Sequence, residues 1–357
     1  MDKNKLENIN KKIDKLKVLG YDEAEVLSDS SFIKIVRGEY RLNNNKSFNR
    51  EIIVSGRDSN DAVCVFAIDK DDNVLIVIQP RVAIDNINKI NVEIPAGYVD
   101  NNESLEHAAL RELREETGYV TDNLMYIDSY YPSVGASTQK IHIYMALDCE
   151  KKYKQKLDKD EFVEYEVISL EEFDYLLNNN YILDVNAKFA YYRVLDYLTE
   201  YKLKKIVSKL ISDNKTISTM ESCTGGFIAS NITNIEDSSK ILKYSAVTYS
   251  NEYKIKMGVD SEVIDKYSVY SKECAEDMAY NISNYANSSY GVGVTGTLKK
   301  YDDNNITKDN DIVYICIYDK DNNKYYDYKY RVYSNKRINN KKFILNHILN
   351  DLNKIIY

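Results

Sequence analysis

Short apolar runs broken by polar turns dominate residues 30–200. Segments 32–37, 50–56 and 62–68 read as strands, as does 74–79 after the Asp71-Asp72-Asn73 turn. A polar loop at 95–103 leads into a helix at 104–117, whose apolar positions Leu105, Ala108, Ala109 and Leu113 recur at helical spacing. Strands follow at 124–130, 140–148 and 161–169, then helices at 170–177 and 186–200. Residues 1–30 are charged and weakly periodic and read as a short helix and a strand, an N-terminal extension.

From residue 203 the pattern becomes a regular alternation. Helices at 203–212, 225–234 and 271–286 interleave with strands at 216–220, 244–250 and 290–295. A polar loop at 297–310, strands at 311–319 and 323–332, and a helix at 337–355 complete the chain. Alternation of this kind argues for an α/β sandwich. The expected organisation is therefore an extension at 1–30, an α/β (α+β) sandwich at 31–200, and an α/β/α sandwich at 201–357.

Composition narrows the classes. The chain has 357 residues, too many for one typical core. It is 44% hydrophobic and 29% charged, the balance of a globular protein. A net charge of −8 argues against nucleic acid as a partner, since that surface needs a basic stripe. No apolar run approaches a membrane span, so a cytoplasmic location without membrane contact is expected. Three histidines cannot supply a clustered zinc site, and the five cysteines contain no CxxC.

Two constellations carry chemistry. In the first, Glu112, Glu115 and Glu116 are spaced i, i+3, i+4 and share one helical face opposite the apolar stripe. Crowded carboxylates repel unless a cation neutralises them, and hard oxygen ligands suit Mg²⁺ or Mn²⁺. A solvated acidic face is the alternative. Glu103 and Arg111 stand about two turns apart, placed to tie the loop to the helix.

The segment Gly97, five residues, Glu103, seven residues, then Arg111-Glu112-Leu113-Arg114-Glu115-Glu116-Thr117-Gly118 resembles the Nudix hydrolase signature, with Tyr119 in place of the usual aliphatic residue. Gln79-Pro80-Arg81, Glu93-Ile94-Pro95-Ala96-Gly97 and Asp158-Lys159-Asp160-Glu161 look like segments of ADP-ribose pyrophosphatases. The resemblance implies that Ala96 (through its carbonyl), Glu112, Glu115 and Glu116 bind metal. It implies that Gln79, Arg81, Glu93 and Gly135 bind substrate, and that Glu161 orients or deprotonates water. The implied reaction is metal-assisted hydrolysis of ADP-ribose to AMP and ribose 5-phosphate. Gln139 stands where an acid is common. Another nucleoside diphosphate derivative is the alternative substrate.

In the second constellation, Glu221-Ser222-Cys223-Thr224-Gly225-Gly226 runs from a strand into a helix, which places Ser222 at or near a helix N-terminus. An N-cap, an anion cradle and a nucleophile all fit that position. Histidine is scarce in this half, so the base for a serine would be a lysine with lowered pKa, and Lys254 in Tyr249-Ser250-Asn251-Glu252-Tyr253-Lys254 is the candidate. These segments, with Val294-Thr295-Gly296, resemble the CinA C-terminal domain, a family of nicotinamide mononucleotide amidases. The resemblance implies Ser222 as nucleophile, Lys254 as base, Tyr249 in the proton network, Thr295 lining the site, and Thr224, Gly225 and Gly226 binding substrate, with no cofactor. Relatives carry a glycine-rich loop after Gly296, whereas here Thr297-Leu298-Lys299-Lys300 and a polar stretch follow; if that loop grips the nucleotide phosphate, the departure implies lost affinity or activity, or else compensation by Lys299 and Lys300.

Together the resemblances imply a bifunctional enzyme of pyridine-nucleotide salvage and, by analogy with both families, a homodimer, with the 30–56 strands exchanged between protomers. The alternative is a Nudix pyrophosphatase regulated by a catalytically degenerate, nucleotide-sensing second domain.

Overall fold

The computed structural model describes residues 10–15, 18–29, 33–55, 59–84, 90–157, 159, 161–299 and 309–357. Asp158, Asp160, Lys300 and residues 301–308 of the expected polar loop lie outside them. The chain forms two compact units, Met1–Val194 and Leu195–Tyr357.

The first unit holds two sheets. Strands β1 (Val18–Asp29), β2 (Ile33–Leu42) and β3 (Ser47–Ser55) form an antiparallel three-stranded sheet. The strand expected within 1–30 is Val18–Asp29, which pairs with the next strand. The larger sheet orders β11 (Glu164–Ile168), β5 (Val74–Pro80), β4 (Asp61–Asp69), β10 (Lys140–Lys151) and β8 (Tyr119–Val120). Strands β6 (Ile90–Glu93), β7 (Ala96–Tyr98) and β9 (Asn123–Tyr130) pair with β5, β4 and β10. Alternation in β4 sorts its side chains onto two faces. Val63, Val65 and Ala67 cluster with Ala108, Ala109 and Leu113 of helix α1 (Leu105–Thr117). Phe66 meets Phe173 and Tyr191, from helices α2 (Leu170–Asn178) and α3 (Val185–Ser212).

Helices expected at 186–200 and 203–212 are one helix, α3. No glycine, proline or capping turn interrupts 185–212, so nothing stops the hydrogen-bond ladder.

The second unit is built on a five-stranded sheet ordered β13 (Leu242–Val247), β12 (Ile217–Glu221), β14 (Tyr290–Gly296), β15 (Ile312–Asp319), β16 (Lys324–Arg331). The first three strands are parallel and the last two antiparallel. One face packs against Leu203, Ile206, Val207 and Leu210 of α3, the short helix α4 (Phe227–Thr233), and Ile344, Leu345, Ile348 and Leu349 of the last helix (Arg337–Ile356). The other packs against Met278 and Ile282 of Lys272–Ala286. Two single-purpose helices, α5 (Asn251–Lys256) and α6 (Ser261–Tyr267), precede that one, which is α7; the last is α8.

Strand β14 shows why its glycines are there. Val292 and Val294 face the first layer, while Gly291 and Gly293 face α7. A Cβ on Gly293 would lie 2.2 Å from the Ala275 carbonyl oxygen and one on Gly291 2.0 Å from that of Ala279, so the helix backbone rests directly on the strand.

Gly293→Ala is accordingly expected to cost about 1–3 kcal/mol, the range for overpacking. Urea unfolding checks this, and an unchanged midpoint contradicts the close approach.

Candidate active sites

In the first unit, Ser104 starts α1 by accepting a hydrogen bond from the His107 amide, and Gly118 ends it in the left-handed conformation at φ 74°. Arg111 ties the preceding loop to the helix. Its Nε and Nη2 donate to both Glu103 oxygens at 2.9 and 2.8 Å, and Nη2 also donates to the Tyr98 carbonyl at 2.9 Å. Its Nη1 meets Glu112 at 2.7 Å and Glu115 at 3.3 Å. The Glu103 carboxyl is held below its usual range by this pairing. The loop backbone touches the helix at Gly97, where a Cβ would fall 1.9 Å from Glu112 Oε1.

Glu112 and Glu116 are removed from water. Burial, more than the Arg111 pairing offsets, pushes Glu112 up to about 7, with Glu161 and Glu115 raising it further. Glu116 is raised well above its ordinary value, first by burial and then by Glu112. Its Oε2 accepts a hydrogen bond from the Ala96 amide at 3.0 Å. Glu161 is exposed, and its charge reaches both Glu112 and Glu116.

Among the described residues no three His, Cys, Asp or Glu side chains are gathered as a metal-binding group. Arg111 bridges Glu112 and Glu115 instead, and Ala96 meets Glu116 through its N–H. The chemistry of the set nonetheless fits a hard divalent cation: oxygen donors, partly buried, whose mutual repulsion a cation relieves.

Gln79, Arg81 and Glu93 converge, but on one another. Glu93 is buried and accepts from Arg81 Nε and Nη2 at 2.7 Å each, and from Gln79 and Asn91 at 3.1 Å each. Four donors fill the acceptor sites of a carboxylate, so Glu93 orients Arg81 rather than presenting a free oxygen. Sequence reasoning missed Asn91, which also accepts from the Leu183 amide at 3.0 Å, and Asp184, a half-buried carboxyl within electrostatic reach of both Arg81 and Glu93. Neither belongs to a motif. Gly135 lies in an exposed turn, held where Ile53 bonds both Ala136 and Thr138. Buried His142 meets Asp61 at 3.2 Å, a structural role.

In the second unit, the chain leaves β12 at Glu221, and Ser222 continues its ladder by donating from its amide to the Val294 carbonyl at 2.9 Å. Ser222 lies near a helix start, as the sequence suggested, but ahead of the helix rather than in its first turn. Helix α4 begins at Phe227, capped by Gly226 at φ 86°. The fully buried Glu221 carboxylate takes the Ile228 and Ala229 amides at 3.1 and 2.9 Å, which removes those donors from any anion cradle. Gly225, at φ 63°, closes a turn by donating to the Ser222 carbonyl.

Lys254 comes from α5, which Ser250 caps. The lysine is only 2% exposed. Its Nζ donates to Ser222 Oγ at 3.1 Å and to the Thr248 carbonyl at 2.9 Å. Cys223 is no rival nucleophile, since burial pushes its thiol up to about 12. Two expected members have other hydrogen-bond partners. Tyr249 is 67% exposed, with its hydroxyl 3.5 Å from Arg337 Nη2. Thr295 is buried and donates to the Val269 carbonyl at 2.7 Å. Thr224 Oγ1 is buried without a partner. Lys299 donates to the Tyr333 carbonyl at 2.6 Å.

A NUDIX domain model matches residues 58–188, and a CinA C-terminal domain model matches residues 200–356. The ADP-ribose pyrophosphatase of Bacillus subtilis is 32% identical over 167 residues, 46% of this chain and 86% of that protein. A protein of Clostridium perfringens named as competence-damage inducible is 43% identical over 99 residues, 27% of this chain; the match spans only 24% of that relative's length. A solved structure of a competence/damage inducible protein from Agrobacterium tumefaciens is 24% identical with a TM-score of 0.41, covering 44% of this chain and 96% of that one. No helix among the described residues is long and apolar enough to cross a membrane.

The raised Glu112 carboxyl has a consequence for stability. Between 4.5 and about 7 the folded protein binds more protons than the unfolded chain, so stability falls as pH rises through that window. In EDTA the urea midpoint is expected to drop across it, and to drop less in Glu112→Gln. Parallel profiles contradict the burial of that charge.

Proposed function

Since the chain belongs to the Nudix family through its first unit and carries a CinA C-terminal domain as its second, we propose that it is a bifunctional hydrolase of pyridine-nucleotide metabolites. The first unit hydrolyses ADP-ribose to AMP and ribose 5-phosphate. The second deamidates nicotinamide mononucleotide to nicotinate mononucleotide and ammonia.

Support for the first activity is the likeness to an ADP-ribose pyrophosphatase together with the carboxylate set on α1. Glu112, Glu115 and Glu116, with the Ala96 carbonyl, would hold Mg²⁺ or Mn²⁺, which supplies charge neutralisation at the diphosphate and acidifies water. Arg81, oriented by Glu93, meets a phosphate. Glu161, exposed yet within electrostatic reach of the carboxylates, is positioned to accept the proton of the attacking water.

The observation that carries the second activity is the buried Ser222–Lys254 contact at 3.1 Å. In its neutral form an amine so placed can act as a base. Lys254 takes the hydroxyl proton as Ser222 Oγ bonds to the carboxamide carbon. That proton passes to the departing nitrogen as the C–N bond breaks and ammonia leaves. Water then attacks the ester, giving its proton back through Lys254 to Ser222 and releasing the carboxylate. The Thr248 carbonyl fixes the amine on its other side.

A second reading, nucleotide binding without turnover, is favoured by one arrangement: the hydroxyls of Tyr249 and Thr295 serve other partners.

Lys254→Met is expected to lower ammonia release from nicotinamide mononucleotide by about 10²–10⁴-fold, the usual contribution of a general base. Undiminished release in this variant contradicts the role. Glu112→Gln is expected to lower Mg²⁺-dependent ADP-ribose hydrolysis about 100-fold or more, which phosphate release after alkaline phosphatase treatment reads out. Hydrolysis at the wild-type rate contradicts the metal assignment.

A further inference from the structure

Strand β16 ends the sheet order of the second unit among the described residues, so one of its sides carries backbone groups that β15 does not pair. Its register with β15 identifies them. Opposite residues of an antiparallel pair alternate between exchanging hydrogen bonds and not. The Val332 amide donates to the Asp311 carbonyl at 2.7 Å, one step beyond the Arg331–Ile312 pair. The even positions of β16 therefore bond to β15. The odd ones, Tyr325, Asp327, Lys329 and Arg331, turn their N–H and C=O groups outward.

Charge along that edge is complementary to itself. Lys272 of α7 has its Nζ 3.0 Å from Asp327 and 3.4 Å from Glu276, so one cation serves two carboxyls. Two residues further along, Lys329 lies over the Tyr314 ring at 5.5 Å and makes no ion pair among the described residues. An antiparallel copy of β16, related by a two-fold axis through Tyr328, sets Asp327 opposite Lys329 and Lys329 opposite Asp327, both at outward-facing positions. It also sets Tyr326 opposite Tyr330 and Tyr325 opposite Arg331. Opposite charges and aromatic pairs facing across strands stabilise, and like charges destabilise. Moving the axis by one residue puts Asp327 or Lys329 against itself, and moving it to Tyr330 puts Lys329 against Arg331. Lysines on an edge strand ordinarily keep copies apart, but in the register about Tyr328 no like charges meet.

We propose that β16 pairs with β16 of a second copy of this chain, antiparallel about Tyr328, so that the two second units share one continuous sheet. The contact is isologous: Lys329 of each copy supplies the cation that Asp327 and Glu276 of the other lack. It depends on neither hydrolytic reaction and does not involve the strands of residues 30–56.

Disulfide trapping reads the register. All five native cysteines are buried, and Tyr328→Cys places a thiol opposite its own copy, at a pair without backbone hydrogen bonds whose Cα atoms stand about 4.5 Å apart, within disulfide reach. Oxidation of the full chain with copper–phenanthroline is expected to give a covalent dimer, whereas Tyr326→Cys, set opposite Tyr330, gives none. Sedimentation equilibrium reads the charge. Lys329→Glu turns both contacts with Asp327 repulsive and is expected to raise the dimer dissociation constant about 10–100-fold. Lys243→Glu, on β13 at the opposite edge of the sheet, leaves it unchanged. A wild type that does not self-associate, a dissociation constant indifferent to Lys329→Glu, or equal trapping at 326 and 328 overturns the pairing. Should Tyr328→Cys fail to fold, the sedimentation comparison decides alone, because Lys329 is exposed and its replacement leaves the core intact.

Discussion

A lysine cannot be buried without meeting its amine's hydrogen-bonding needs, and the second unit is organised around that constraint. Lys254 rests between the Thr248 carbonyl and the Ser222 hydroxyl. Each partner comes from the end of a strand. Thr248 follows β13 and is pinned by its amide to the Glu221 carbonyl, while Ser222 follows β12 and is pinned to Val294 of β14. Three adjacent parallel strands therefore fix the pair. The glycines of β14 let α7 close the layer behind them. Glu221 holds the start of α4 through two amides, which leaves the Ser222–Gly226 turn standing off the helix rather than wound into it.

The first unit meets the same constraint with the opposite charge. Its carboxylates are crowded and partly buried, and Arg111 is the cation that makes this tolerable. One guanidinium reaches Glu103, Glu112, Glu115 and the Tyr98 carbonyl, so loop and helix form a single charged assembly. Gly97 permits the contact because any side chain there would displace the Glu112 carboxylate. Glu93 does for Arg81 what Arg111 does for the helix acids, orienting one charge with its opposite.

What was legible in the sequence were features written locally. Helical spacing revealed the α1 acids, and the strand-turn-helix pattern around Ser222 and Lys254 revealed both members of that pair. The helix–strand alternation of the second unit followed from periodicity. Features that depend on long-range pairing were not legible. Asn91 and Asp184 join the Arg81–Glu93 network only through folding, and a sequence offers no reason to separate Glu221 from other strand-end acids. The helix after Ser222 was expected to begin at 225 because Gly225 and Gly226 read as part of it, whereas their positive φ delays it to Phe227. Tyr249 and Thr295 were expected by analogy to join the pair, and their hydroxyls have other partners.

The claim on which the account turns is that Ser222 is a working nucleophile in a unit chemically separate from the first. Ammonia release from nicotinamide mononucleotide by wild type and Ser222→Ala, with ADP-ribose hydrolysis followed on the same preparations, tests it most directly. The account predicts that the variant loses ammonia release while hydrolysing ADP-ribose at the wild-type rate. Equal ammonia release by both proteins, or none from wild type, would contradict it.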